Sequence, residues 1–229
     1  MRELELRNYS GAVELRASDK GLGVLTGYAS VFNKLSQNLG GFVERVDPSA
    51  FNKSLADGLR VVGRFNHENN YLLGTTDAQT LRLSVDGTGL KYEIDLPDTS
   101  VGRDVKVLAE RGDLAHSSFA FRVPEGGDEW GFTPEGMPLR TLLSVQLFDV
   151  APVVDPAYRD TTTGLRSLAD HFKLDLEQVK QEAGKGNLRS LIESKDSDAH
   201  GDGSEKGGQV ANHPLLSTYQ RRLQMLSWD

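Results

Sequence analysis

The chain has 229 residues and 25.1 kDa, with 26 Lys and Arg against 33 Asp and Glu and a formal net charge of −7. This acidity argues against specific nucleic-acid binding, because the phosphate backbone attracts basic proteins. The absence of cysteine excludes disulfides, thiol catalysis and zinc–thiolate sites and fits a reducing compartment. A mean hydropathy of −0.42, with no apolar run of about 18 residues, argues against a membrane protein.

The first two thirds of the chain have the pattern of short strands separated by turns. Alternating apolar residues, many of them Val, Tyr or Phe, predict strands over residues 22–33, 41–46, 59–65, 81–85, 90–96, 114–123 and 139–150. The fourth and fifth strands flank Asp86-Gly87-Thr88-Gly89 and are predicted to form a hairpin, since glycine tolerates the positive φ of tight turns. The segment around Trp130 and Phe132 is predicted to be a loop.

Two helices are predicted within this β-rich body. Asp47 is the predicted N-cap of the first helix, with a proline at the first helical position and Gly58 past the end. The second helix is predicted to begin at Thr99 or Ser100 and to end at Gly112, because a hydroxyl caps a helix start and glycine suits the end.

The pattern becomes helical downstream of residue 164. Apolar residues recur there at a spacing of 3.6 and predict a helix: Leu165, Leu168, Phe172, Leu176 and Val179. We therefore expect a β-rich domain over residues 1–164 and a helical extension over 165–193. A polar, Gly-rich segment over 194–214 predicts a flexible linker, and an amphipathic helix is predicted over 215–229.

The strand over 114–123 offers a candidate nucleophile. Side chains alternate between its faces, so Ser117 lies on the apolar face between phenylalanine and alanine, while His116, Ser118 and Arg122 share the polar face. A serine nucleophile needs a base within hydrogen-bond reach and room for a substrate carbonyl, and Ser118 satisfies both conditions better. Ser117 is expected to be a buried hydroxyl bonded to the backbone. An ordinary half-exposed Ser/His pair is the alternative interpretation.

His67 is a candidate base because it follows a hydrophobic strand, and functional groups are often found at strand ends. A surface-loop histidine is the alternative. His116 competes for the same role, but it lies two residues from Ser118 on one strand, about 6.6 Å away by strand rise, which makes direct contact awkward. A base from another strand can approach the serine head-on.

Asp149 is a candidate acid near the end of the strand over 139–150. Alternation predicts that it continues the apolar face of Leu143, Val145 and Leu147, where an unpaired carboxylate would be costly. It either holds a histidine in the correct tautomer, as the acid of a triad does, or caps the following turn. The five histidines are scattered, so we expect no metal, and no cofactor motif is found.

Four segments in order resemble the prohead (procapsid) maturation serine proteases of tailed bacteriophages. They are residues 27–33 with 44–51, residues 65–67 with 72–75, residues 112–114 with 118–123, and residues 147–150 with 156–158. The resemblance covers residues 22–162 and implies that Ser118 is the nucleophile, His67 the base and Asp149 the acid. Asp149 stands where the family usually has glutamate, and Ala120 where glycine is common.

The resemblance also implies a fold and a function. The expected fold is α+β, a small mixed β-barrel flanked by helices as in herpesvirus assembly proteases, with a helical C-terminal tail. The expected activity is cleavage of the scaffold, or of the scaffolding domain of the major capsid protein, inside the procapsid in the host cytoplasm, followed by self-cleavage. No cofactor, nucleic acid or membrane is implied, and a homodimer is left open. The alternative is a non-catalytic assembly module derived from such a protease.

Overall fold

The computed structural model describes residues 3–11, 13–18, 21–155 and 161–199. Strands and helices both contribute to these ranges, so the predicted α+β class is confirmed. The strands are β1 (Glu5–Ser10), β2 (Glu14–Arg16), β3 (Val24–Val31), β4 (Val43–Val46), β5 (Val62–Arg64), β6 (Leu72–Thr75), β7 (Leu81–Val85), β8 (Gly89–Asp95), β9 (His116–Arg122), β10 (Asp128–Phe132), β11 (Pro138–Leu142) and β12 (Gln146–Val153). The helices are α1 (Asn52–Ala56), α2 (Ser100–Arg111), α3 (Thr161–Phe172), α4 (Leu176–Lys185) and α5 (Leu188–Ala199).

The strands of the described ranges form three sheets, and the predicted small mixed β-barrel is not confirmed. A five-stranded sheet has the order β1-β9-β12-β5-β6, in which β12 and β5 run parallel and the other pairs antiparallel. An antiparallel four-stranded sheet has the order β2-β3-β8-β7 and contains the predicted hairpin. The third sheet has the order β10-β11-β4.

The main core packs one face of the five-stranded sheet against the four-stranded sheet. Phe119 and Val150 from β9 and β12 are buried with Leu25 and Ile94 from β3 and β8. Burying side chains of this size contributes about 1.5–3 kcal/mol each to folding. Because this core covers one face of β9 and β12, side chains on the other face of these strands are turned away from it.

The single strand predicted over 139–150 is wrong, because the structure divides it between two sheets. The backbone amides of Leu143 and Ser144 both donate to the Gly127 carbonyl, at 2.8 and 2.9 Å, and this turn separates β11 from β12. The segment predicted to be a loop contains β10, which pairs antiparallel with β11 and buries Trp130. Its acidic and glycine residues hid the strand pattern.

The first predicted helix begins later than expected, at Asn52. The Asp47 side chain instead closes a turn, because its Oδ1 accepts hydrogen bonds from the amide and hydroxyl of Ser49 at 2.9 and 2.6 Å. The second helix is confirmed. Thr99 caps it by accepting a hydrogen bond from the amide three residues on, and Gly112 ends it with a φ of 79°.

The helical segment predicted after residue 164 is interrupted. Lys173 adopts a φ of 54°, and Asp175 then caps α4 by accepting a hydrogen bond from the Gln178 amide at 2.9 Å. α5 extends to Ala199, inside the predicted linker. The rest of that linker and the predicted helix over 215–229 lie outside the described residues, so the domain division stays a prediction.

Helices α3, α4 and α5 pack on the third sheet and form a second core. Its buried apolar side chains are Phe42, Trp130, Leu165, Leu168, Ala169, Val179, Leu188 and Ile192. The helical extension is therefore attached to the β-rich body by a continuous apolar contact. No helix in the described part of the chain is both long and apolar enough to cross a membrane.

Five charged side chains are buried together where β1 meets the third sheet, and we call them the ion cluster: Glu5, Arg7, Glu44, Asp128 and Arg140. Arg140 donates to Glu5 at 2.7 Å, to Glu44 at 3.1 Å and to Asp128 at 2.8 Å. Arg7 donates to Glu44 at 2.8 Å and to Glu5 at 2.7 Å. Burial alone would raise the pKa of Glu5, but the charges of Arg140 and Arg7 together outweigh it and lower that pKa. The cluster therefore joins β1 to the strands of the third sheet.

Candidate active site

Ser118 lies in the middle of β9 and faces away from the main core. It is paired with Asn8 of β1 on one side and with Ala151 of β12 on the other. Its neighbours along the strand, Ser117 and Phe119, point to the opposite face, as the alternation predicts. Ser118 is fully buried among these strands.

The two side chains that competed with the proposed pair have other partners. Ser117 is buried with its Oγ 2.9 Å from the Tyr92 hydroxyl, so the predicted bond to the backbone is wrong. Burial raises the pKa of Tyr92, which therefore stays a neutral phenol in this pair. His116 places its Nδ1 3.1 Å from the Ser10 hydroxyl, at the outer edge of the sheet.

Asp149 reaches the face of Ser118 through a β-bulge. Leu147 pairs with a core phenylalanine of β9 and Asp149 pairs with Ala120, so Phe148 is an extra residue between the two pairs. The predicted continuation of the apolar face from Leu147 to Asp149 is therefore wrong, because the bulge turns the carboxylate to the other side. Asp149 also lies inside β12 and not at a strand end.

His67 lies in the loop between β5 and β6, in an unusual backbone conformation. Asn66 and His67 both have positive φ values, of 54° and 58°. Non-glycine residues in this region cost about 1–3 kcal/mol each unless the surroundings hold them. The Asn66 amide donates to the Pro152 carbonyl at 3.1 Å, and its side-chain oxygen accepts from the Val154 amide at 3.0 Å. These bonds attach the histidine loop to the end of β12.

The structure brings the three predicted residues together in one hydrogen-bonded line. His67 Nε2 lies 2.6 Å from Ser118 Oγ, and His67 Nδ1 lies 3.0 Å from Asp149 Oδ1. Because a carboxylate only accepts, Nδ1 carries the proton and Nε2 accepts from the serine hydroxyl. The His67 side chain is 16% exposed and the Asp149 side chain 5%. The arrangement can move a proton from the hydroxyl to the imidazole.

Arg64 is a charged neighbour of the site that the sequence analysis missed. Its Nη1 donates to Asp149 Oδ2 at 3.1 Å, so each carboxylate oxygen has one partner. The parallel pairing of β5 with β12 places Val62 opposite Asp149 and brings Arg64 near it. The available signal was a basic residue at the end of a predicted strand, three positions before His67, but the sequence does not say which strand pairs with it.

Arg122, which shares the polar face of β9 with Ser118, contacts an aromatic ring of β12. The guanidinium of Arg122 lies 5.0 Å from the centroid of the Phe148 ring, at the bulge. Within the described ranges, no group of three or more His, Asp and Glu side chains is placed to hold a metal ion.

Comparisons with known proteins identify a family for this chain and a similar solved structure. The sequence model of a family described as caudovirus prohead serine protease matches residues 11–174, a range that includes His67, Ser118 and Asp149. A search of curated proteins found no match. Among solved structures, the bacteriophage T4 capsid assembly protease is similar, with 10% identity and a TM-score of 0.45 over 66% of this chain and 97% of that chain.

Proposed function

The chain belongs to the caudovirus prohead serine protease family, and from this premise we propose that Ser118, His67 and Asp149 are its catalytic nucleophile, base and acid. One observation carries the proposal: the His67 ring joins Ser118 at 2.6 Å to Asp149 at 3.0 Å. A serine hydroxyl is a weak nucleophile, and an adjacent imidazole oriented by a carboxylate is the usual means of activating it.

In the proposed reaction, Ser118 Oγ attacks the scissile carbonyl while His67 Nε2 takes the hydroxyl proton. Asp149 accepts the Nδ1 hydrogen bond throughout and stabilises the imidazolium. His67 then passes the proton to the departing amine, and the peptide bond breaks to leave an acyl group on Ser118. A water molecule attacks this ester as His67 takes its proton, and His67 then returns that proton to Ser118 Oγ, which releases the new carboxyl terminus and the free serine.

The proposed substrate is the scaffold, or the scaffolding domain of the major capsid protein, inside the procapsid in the host cytoplasm. Family membership supports this choice. We also propose self-cleavage in the part of the predicted linker that follows α5, residues 200–214, whose polar, Gly-rich composition is typical of segments that proteases cut. A homodimer stays a prediction.

Co-expression with the neighbouring shell protein tests the substrate. Wild-type protein should shorten the shell protein, and Ser118→Ala should leave it intact. The mass of each purified protein over time tests self-cleavage, since only the active chain should lose C-terminal mass. Identical trimming of both proteins would show that another protease is responsible.

A non-catalytic assembly module derived from such a protease is the second candidate function. The complete burial of Ser118 favours it, because a substrate carbonyl must reach Oγ before any reaction. A fluorophosphonate, which reacts with activated serines, separates the two candidates. The protease is labelled at Ser118, whereas the assembly module is not, and Ser118→Ala gives the background.

A further inference from the structure

Arg64 completes the hydrogen bonding of the Asp149 carboxylate. Asp149 Oδ1 accepts from His67 and Oδ2 accepts from Arg64 Nη1 at 3.1 Å. The Asp149 side chain is only 5% exposed, so it depends on protein donors more than on water. A buried carboxylate that loses a donor leaves an unsatisfied charge, and Arg64 is therefore more than a neighbour by chance.

The second bond restricts how the carboxylate can turn. The last torsion of an aspartate side chain is broad, so a single hydrogen bond allows the carboxylate plane to rotate. A donor on each oxygen fixes that plane and keeps Oδ1 directed at His67 Nδ1. We propose that Arg64 is a positioning residue of the site: it acts through Asp149 on the tautomer and orientation of His67. This inference rests on the proposed function.

The charge of Arg64 has an opposite effect, and its exposure decides which effect is larger. A positive charge beside Asp149 opposes formation of the His67 imidazolium during the reaction. The Arg64 side chain is 28% exposed, so water and salt weaken that repulsion. The hydrogen-bond geometry is not weakened in this way. Removing Arg64 should therefore slow the reaction.

Both partners of Asp149 come from one short segment of the chain, residues 64–67. Arg64 ends β5, which runs parallel to β12, and His67 follows three residues later. The pairing of β5 with β6 shifts register between Gly63 and Arg64, so a local irregularity lies beside the arginine. A displacement of this segment would move Arg64 and His67 together relative to Asp149.

Arg64→Met and Arg64→Lys test the inference, with Arg60→Met as the matched control. Arg60 lies two residues before β5 begins, and it pairs with Asp77 where both side chains are more than half exposed. The first readout is the rate constant of fluorophosphonate labelling at Ser118. The second is the low-field proton resonance of the His67–Asp149 hydrogen bond in NMR spectra, which a purely structural role would not alter.

We expect Arg64→Met to slow labelling about 10- to 100-fold, by analogy with the loss seen when a group that orients a metal-ligating histidine is removed. Its low-field resonance should shift or broaden. Arg64→Lys should label at an intermediate rate, because the ammonium keeps the charge without the rigid fork of donors. Arg60→Met should match the wild type in both readouts.

Unchanged labelling and an unchanged resonance in Arg64→Met would overturn the inference. Should that variant not fold, Arg64→Lys decides, since a rate equal to that of the wild type would overturn it and a lower rate would support it. If the wild type is not labelled, the proposed function fails separately. The resonance then decides the role of Arg64 alone, by its loss in Arg64→Met and its retention in Arg60→Met.

Discussion

Leu147 and Asp149 lie two positions apart on β12, yet their side chains occupy opposite faces of the sheet. Regular alternation would place both on one face. The extra residue, Phe148, changes the count, so that Leu147 and Val150 both enter the core while Asp149 joins Ser118 on the other side. The bulge therefore decides whether this carboxylate is an unpaired charge in the core or a partner of His67.

Deletion of Phe148 should keep Asp149 on the face of Ser118. Leu147 and Asp149 then become adjacent, and regular alternation still places their side chains on opposite faces, paired with β9 as before. Labelling of Ser118 should therefore persist in the deletion variant. Phe148→Ala is the control, since it keeps the bulge and removes the ring that contacts Arg122. Loss of labelling in a folded deletion variant would mean that the bulge positions Asp149 in more ways than by setting its face.

Ser117→Ala and Ser118→Ala should have opposite effects. Ser118→Ala should lower kcat by about 10⁶-fold with little change in stability, as expected for loss of a nucleophile. Ser117→Ala should keep its activity but lose about 1–3 kcal/mol of stability, because the Tyr92 hydroxyl is left buried without this partner.

Adding Tyr92→Phe to Ser117→Ala provides a control for that loss. The double variant removes both hydroxyls, so its stability should recover part of the loss seen with Ser117→Ala alone. Loss of cleavage in a folded Ser117→Ala variant would instead point to Ser117 as the functional serine.

Arg140→Met should lower the free energy of unfolding by about 3–5 kcal/mol, because it leaves the carboxylates of the ion cluster buried with too little positive charge. The matched control is Arg82→Met, which breaks an ion pair with Asp95 at 2.7 Å on the surface. That change should cost less than about 1 kcal/mol, since water screens exposed pairs. Equal losses in the two variants would mean that burial of the cluster adds nothing.

Glu5 should make stability depend on pH in the acid range. Its pKa in the folded protein lies below the ordinary value of 4.5, so its stabilising effect is complete above pH 4.5 and is lost as the pH falls through the folded pKa. The difference in unfolding free energy between wild type and Glu5→Gln should be largest near neutral pH and shrink in acid. Urea titrations at several pH values measure it, and a constant difference would contradict the assignment.

Strand alternation was sufficient to predict which serine faces away from the core. The phenylalanines beside Ser117 marked the buried face of β9, and the structure places Ser118 on the other face. His67 and Asp149 lie 51 and 31 positions from Ser118 in the sequence, and no local pattern connects the three residues. Only the resemblance to the prohead protease family, in which the motifs occur in the same order, indicated that these residues act together.

Other features could not be predicted because their physical causes are not local. The bulge at Phe148 depends on how β12 pairs with β9, and the sequence of β12 alone does not reveal it. Glu5 and Arg7 have the pattern of an exposed segment, but the ion cluster buries them against the third sheet, and β1 is the edge strand that pairs with β9. The contact of Arg64 with Asp149 depends on the parallel pairing of β5 with β12, which the sequence does not predict.

The strand order of the five-stranded sheet links completion of the site to the progress of translation. The strand that carries Ser118 lies between β1, from the start of the chain, and β12, which ends at Val153. A domain folds as a unit, so a nascent chain cannot complete this sheet before β12 has left the ribosome. Until then His67 lacks its carboxylate partner, and an unfinished chain should have no activity at Ser118.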